Sequence, residues 1–146
     1  MTNNSEYLME GGNHEDARGM ITFFNSFDLE SFKRLYVFDI KSTHAVRAWQ
    51  GHKIEAKAFI VVEGEVELAW VEVDDFESPS NDLLAESVQL SASKPQVKII
   101  PGGFANGFKA ISSKAKVLVL SDKSLDSSLK DDFRFDPALW FSWDKK

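Results

Sequence analysis

The sequence predicts an all-β fold, a single-domain β-barrel. Three observations carry the prediction. About nine short apolar runs recur with turn signals every eight to twelve residues, the spacing of a sandwich or barrel. Helical periodicity is almost absent, whereas period-two alternation is clear in Lys33 to Ile40 and in Val66 to Asp74. The chain of 146 residues has 12 Phe and 4 Trp, enough apolar bulk for one packed core without staples.

In chain order, residues 1–15 are polar and read as a flexible or partner-bound N-terminus, with the barrel domain over 16–146. Asp16 to Gly19 is a turn and Met20 to Phe24 the first strand. Lys33 to Ile40 places Leu35, Val37 and Asp39 on one face and Arg34, Tyr36, Phe38 and Ile40 on the other, so that Tyr36 shares a face with residues lining an interior. Ala45 to Trp49 opens the next strand. It leads into the basic segment Arg47-Ala48-Trp49-Gln50-Gly51-His52-Lys53-Ile54-Glu55-Ala56-Lys57, followed by an apolar run. Gly64 is read as the turn of a β-hairpin that returns as Val66, Leu68 and Trp70, which puts the basic cluster at the hairpin's mouth. Strands at Ala85 to Leu90, Gln96 to Ile100, Phe104 to Ile111 and Ala115 to Leu120 follow. The aromatic end through Trp140-Phe141-Ser142-Trp143 is read as an irregular tail packed at an interface or over a barrel end.

Composition narrows the function. There is no Cys, hence no disulfide framework, thiolate metal site or thiol nucleophile. The net charge of −6 argues against nucleic acid as a partner, though a local basic pocket for a small anion is compatible with it. No apolar run approaches membrane-spanning length and the first residues do not form a signal peptide, so no membrane partner and a cytoplasmic location are expected.

Several segments resemble the cupin (jelly-roll) superfamily, and within it the sugar-nucleotide 3,5-epimerases (dTDP-4-dehydrorhamnose 3,5-epimerase) and 3,4-ketoisomerases of deoxysugar synthesis. Arg47-Ala48-Trp49-Gln50-Gly51-His52-Lys53 resembles the ketoisomerases' Arg-Gly-x-His-x-His-Lys. Lys57 to Val66 resembles the epimerases' Lys-Leu-Val-x-Val-x-x-Gly-x-Val, and Ile100-Pro101-Gly102-Gly103-Phe104-Ala105-Asn106-Gly107-Phe108 their Ile-Pro-x-Gly-Phe-Ala-His-Gly-Phe. Asp16-Ala17-Arg18-Gly19 and the tail Asp136-Pro137-Ala138-Leu139 match further pieces.

The resemblance implies an enzyme acting on a nucleotide-linked 4-keto-deoxysugar for bacterial surface polysaccharide, as a homodimer formed by N-terminal strand exchange or sheet extension. The chemistry needs a base near neutral pH, a cation or donor at the keto oxygen, and a guanidinium for the diphosphate. His52 is the expected base, Lys57 the enolate stabiliser and Tyr36 a proton donor or sugar contact. Arg47 is the expected diphosphate anchor, and Arg18, Gln50, Asn106 and Lys53 further substrate contacts. His14 and His44 read as surface residues. Trp49 and Trp70 are either core or stacking residues.

No metal and no cofactor are expected. The four positions that ligate a metal in metal cupins read Gln50, His52, Lys57 and Asn106, and an ammonium there repels a cation. The pattern also departs from the epimerases. Their base His falls on Gln50, which cannot accept a proton at neutral pH. Their acid Tyr falls near Lys123 or Ser124, and the carboxylate partner of the base is expected beyond Lys146. The alternative reading is therefore a non-catalytic cupin that keeps a sugar-nucleotide pocket.

Overall fold

The apolar run Ala58-Phe59-Ile60-Val61 makes β6 (Lys57–Glu63) a central strand with both faces buried. Phe59 and Val61 point into one core, and Ala58 and Ile60 into another. The chain is described by a computed structural model covering residues 7–144. Its remaining elements are β1 (Leu8–Glu10), β2 (Gly12–Asp16), β3 (Gly19–Phe23), β4 (Arg34–Ile40), β5 (Val46–His52), β7 (Glu65–Glu72), β8 (Glu86–Ser91), β9 (Gln96–Ile100), β10 (Phe104–Ala110), β11 (Ala115–Ser121), the short helix α1 (Leu125–Leu129) and β12 (Phe133–Arg134).

Two five-stranded antiparallel sheets, ordered β1-β9-β6-β11-β4 and β12-β5-β10-β7-β8, face each other as a jelly-roll barrel. The interior core between them holds Phe59, Val61, Val66, Leu68, Trp70, Phe108, Val117 and Val119. Alternation along β4 follows the expected faces: Leu35 and Val37 lie outside, while Tyr36 and Phe38 pack on the interior core.

Three expectations change. Gly64 does turn the chain, with φ +73°, and a Cβ there would lie 2.1 Å from the Lys114 carbonyl oxygen. Yet β6 and β7 do not form a hairpin. β6 pairs with β9 and β11 in one sheet, and β7 with β8 and β10 in the other, so the turn carries the chain across the barrel corner. The aromatic tail does not cover a barrel end. It lies over the outer face of the second sheet, where Phe135, Leu139, Trp140, Phe141 and Trp143 pack against Trp49, Ala69 and Val71. Finally, part of the polar N-terminus is ordered as strands. β1 adds to the edge of β9, and β2 pairs with β3 as a two-stranded ribbon. Residues 1–6 of that segment lie outside the described residues.

Candidate functional site

One end of the barrel opens into a cavity of about 430 Å3. Its wall takes Arg34, Tyr36 and Phe38 from β4, Arg47 and Gln50 from β5, Lys57 and Phe59 from β6, and Asn106 and Phe108 from β10. Leu125, Ser128 and Leu129 of α1, with Asp132 and Arg134 beside and within β12, complete it. Period-two alternation brings the residues of β4, β6 and β10 inward, and a β-bulge in β5 opposite Asn106 and Phe108 turns both Arg47 and Gln50 to the same face. The pairing of Gln50 with Asn106 places those two carboxamides side by side across neighbouring strands.

The centre is a chain of hydrogen bonds. Lys57 Nζ donates to Gln50 Oε1 at 2.7 Å, and Gln50 Nε2 donates to Asp132 Oδ1 at 3.2 Å. The carboxylate expected beyond Lys146 thus has a counterpart within the fold, supplied by Asp132. Arg134 also holds Asp132, its Nε donating to Oδ1 at 2.8 Å. Around this centre runs a ladder of cations and rings. Arg34 lies 5.4 Å from the Tyr36 ring, Tyr36 meets Phe38 edge-on at 5.5 Å, and Arg47 lies 4.6 Å from the Phe38 ring. Lys57 Nζ is 5.8 Å from the Tyr36 ring.

Burial sets the protonation of these groups. Lys57 is 3% exposed, and desolvation lowers its ammonium to about 8; Glu55 opposes the shift and Arg34 and Arg134 add to it. Tyr36 is pushed up to about 12, again mainly by burial, and stays a hydrogen-bond donor. Burial would raise the Asp132 carboxyl, but the bonds from Arg134 and Gln50 prevail and hold it below the usual carboxylate range.

His52 is not brought to the cavity. Although it shares a strand face with Gln50, it lies beyond the mouth and is capped by the segment after α1. It is 2% exposed, and its Nδ1 donates to the Asp131 carbonyl oxygen at 2.5 Å. Burial, reinforced by Lys57, lowers its pKa, so the ring is neutral, and its Nε2 is buried without a partner. The expected base is therefore sealed behind the wall. Lys53 also points away, packing over Phe133 at 5.2 Å. Arg18 sits on the β2–β3 ribbon, 90% exposed at its side chain and paired with Asp16.

Behind the wall, Asp131 is a structural clamp. Its carboxylate accepts the backbone N–H groups of Lys53, Ile54 and Glu55 at 2.7, 2.9 and 2.9 Å. It thereby fixes the bend between β5 and β6 that sets Gln50 against Lys57. Asp131→Ala is expected to lower stability by about 3 kcal/mol, since one buried and two partly buried donors lose a charged acceptor. Chemical denaturation checks this, and a loss below about 1 kcal/mol would show that the loop holds itself.

Glu55, also buried, accepts from Ser121 Oγ at 2.6 Å and pairs with Arg34 at 3.4 Å, so Arg34 is anchored at the wall. Arg34, Asp132 and Arg134 were not anticipated as site residues. Arg34 shares a strand face with Tyr36, which is a readable signal. Asp132 and Arg134 arrive through pairing of β12 with β5 across some eighty positions, which local pattern does not reveal.

The residues at the cupin metal positions do not fit a metal, because the Lys57 amine and the Gln50 amide bond each other there. Among the described residues, no cluster of three His, Cys, Asp or Glu is placed to hold one. A second groove, of about 460 Å3, lies under the tail on the outer surface. Its Lys109 is already bonded to the Trp143 carbonyl oxygen at 3.0 Å.

The family model for dTDP-4-dehydrorhamnose 3,5-epimerase matches residues 4–146. The chain belongs to that family. Family membership makes it an enzyme of the sugar-nucleotide epimerase class. No curated protein sequence gives a match. Solved structures share the family's fold at low identity. A dTDP-4-dehydrorhamnose 3,5-epimerase from Elizabethkingia anophelis is 19% identical, with a TM-score of 0.74 over 100% of this chain and 85% of that one. The Bacillus anthracis epimerase, crystallised with TDP and pyrophosphate bound, is 22% identical, with a TM-score of 0.74 over 100% and 89%. A 3'-monoepimerase from Streptomyces bikiniensis in complex with dTDP-quinovose is 18% identical, with a TM-score of 0.71 over 89% and 69%. Within the family, this chain carries a carboxamide, Gln50, where the resemblance expects the base.

Proposed function

We propose that the cavity binds a dTDP-type 4-keto-deoxysugar and that the protein isomerises or epimerises it by enolisation beside the keto group, without a metal. The observation that carries this reading is the convergence of Arg34, Arg47, Lys57 and Arg134 on one aromatic-lined cavity of a family fold. Arg47, exposed at the mouth and stacked on Phe38, takes the diphosphate, because a guanidinium binds two phosphate oxygens at once. Lys57, Gln50 and Tyr36 surround the sugar carbons, and Asn106 supplies a further polar contact.

The proposal includes a cytoplasmic role in bacterial surface polysaccharide synthesis and a homodimer. Supporting the dimer, the β2–β3 ribbon pairs with neither barrel sheet and exposes Met20 and Ile21 at 57% and 60%. Such a ribbon suits a second copy, and would carry Arg18 to the partner's mouth.

The alternative is a silent binder, favoured by Gln50 at the base position. Solvent exchange separates the two. With dTDP-4-keto-6-deoxyglucose in heavy water, the enzyme reading expects deuterium beside the keto group well above the protein-free rate. Binding with no exchange would leave the silent binder standing. Arg47→Ala is expected to weaken thymidine diphosphate at least about tenfold in calorimetry, the scale of one lost charged contact. An unchanged affinity would remove Arg47 from the anchor role.

A further inference from the structure

Resting on the function just proposed, the open matter is which atom takes the proton. Enolisation needs a proton acceptor inside the cavity that works near neutral pH. The cavity offers few. Arg34, Arg47 and Arg134 cannot accept a proton, nor can the amides of Gln50 and Asn106. Tyr36 is held protonated by burial, and Asp132 is saturated by Arg134 and Gln50. His52 lies behind the wall with its Nδ1 committed to Asp131. Lys57 remains, with its nitrogen fixed at 2.7 Å from Gln50 Oε1.

The geometry points to Lys57 as the base: its free amine removes the proton beside the keto group, and the same nitrogen returns it on the same face, at the former keto carbon. The product is then a sugar whose carbonyl has moved to the neighbouring carbon, and no centre is inverted by delivery from the opposite side. This gives Gln50 a role. A carboxamide oxygen can hold the amine by one N–H and leave the nitrogen's lone pair for the substrate, which a second base at that position would compete for.

The step balances without an oxidant. The C–H bond beside the carbonyl breaks and its proton bonds to Lys57 Nζ. The electron pair left on carbon forms the C=C bond, and the carbonyl π pair moves to oxygen, which takes a proton from the Tyr36 hydroxyl. In the return step the Lys57 ammonium protonates the former keto carbon. The neighbouring hydroxyl gives its proton back to Tyr36 and becomes the new carbonyl. One carbon is oxidised and its neighbour reduced, with no net change.

A lowered amine pKa agrees with this use, since it leaves a usable fraction of free base near neutral pH. The charged and titratable groups facing Lys57 are Glu55 from the loop before β6, Arg34 and Tyr36 from β4, His52 from β5, and Asp132 and Arg134 from the segment around β12.

The test follows deuterium entry into dTDP-4-keto-6-deoxyglucose by proton NMR. With the unmodified protein, the exchange rate should rise about tenfold per pH unit below about 8 and level above it. A rate flat from pH 6 to 9 overturns the assignment, and this arm needs no variant. Lys57→Arg keeps a cation but cannot act as a base. It should lose at least about 100-fold in exchange while thymidine diphosphate still binds. Retention of more than about a tenth of the rate would mean that Lys57 acts only through its charge, and would overturn the proposal. Label at the former keto carbon of a carbonyl-shifted product, on the face from which the first proton left, supports same-face return, whereas label on the opposite face or an inverted centre contradicts it. No exchange by the unmodified protein at any pH would overturn the enzymatic function itself, and this assignment with it.

Discussion

Trp49→Ala should lower stability by about 4 kcal/mol, a drop in Tm of roughly 10 °C for a chain of this size. Trp49 is 1% exposed and lies at the centre of the outer core. Its ring meets those of Trp140 and Trp143 at 5.5 and 5.6 Å, and its indole N–H donates to the Leu139 carbonyl oxygen at 2.9 Å. Its backbone exchanges two hydrogen bonds with Phe135. Truncation therefore leaves a cavity and also frees the tail. Because β12, with Arg134 and the adjacent Asp132, is attached through that tail, binding of thymidine diphosphate should weaken in the same variant. Thermal unfolding with and without the nucleotide reads both effects. A stability loss below about 1.5 kcal/mol would show that the tail is not docked as described.

Lys57→Met should do the opposite and stabilise the protein. The ammonium is buried, and lowering its pKa from 10.5 to about 8 corresponds to roughly 3 kcal/mol of destabilisation while it remains charged. Methionine removes that cost but leaves Gln50 Oε1 without its donor, which returns about 1 kcal/mol. The net expectation is a gain of about 2 kcal/mol at pH 6 to 7, together with loss of turnover. The pH dependence has a definite sign. Below about 8 both folded and unfolded chains hold the Lys57 proton, and the folded state bears the full cost. Between about 8 and 10.5 the unfolded chain holds a proton that the folded protein has released, so stability rises with pH and the advantage of the methionine variant fades. Urea titrations of both proteins at pH 6.5 and 9.5 check this. A destabilised variant at pH 6.5 would make Lys57 a structural residue. A site that holds a group at the expense of the fold is one kept for function.

These two residues also show what a sequence of this kind discloses. Strands with strong local patterns were legible: Gln96 to Ile100 matches β9, and alternation in Lys33 to Ile40 sorts the interior from the exterior face of β4. Lys57, Tyr36 and Asn106 converge on one cavity because each stands on an inward position of its strand, whereas Arg47 and Gln50, three residues apart, share it only through the bulge in β5. Pairing was less legible. Nothing local says that the run before Gly64 and the run after it join different sheets, since a one-residue turn serves a hairpin and a barrel corner alike. The tail was opaque for a related reason. Phe133 and Phe135 alternate with charged residues over a stretch too short to identify as a strand, so Asp132 and Arg134 acquire meaning only once β12 lies beside Gln50. His52 misled because a strand face indicates the direction of a side chain but not what lies over it. Here Asp131, from a distant segment, covers the ring.

If this cavity is a nucleotide-sugar site, calorimetric titration of thymidine diphosphate should register binding there. One nucleotide should bind per chain, with affinity that falls in Arg47→Ala and persists in Lys57→Arg. No detectable heat at millimolar nucleotide, or binding indifferent to Arg47, would contradict it and leave the family fold without this ligand.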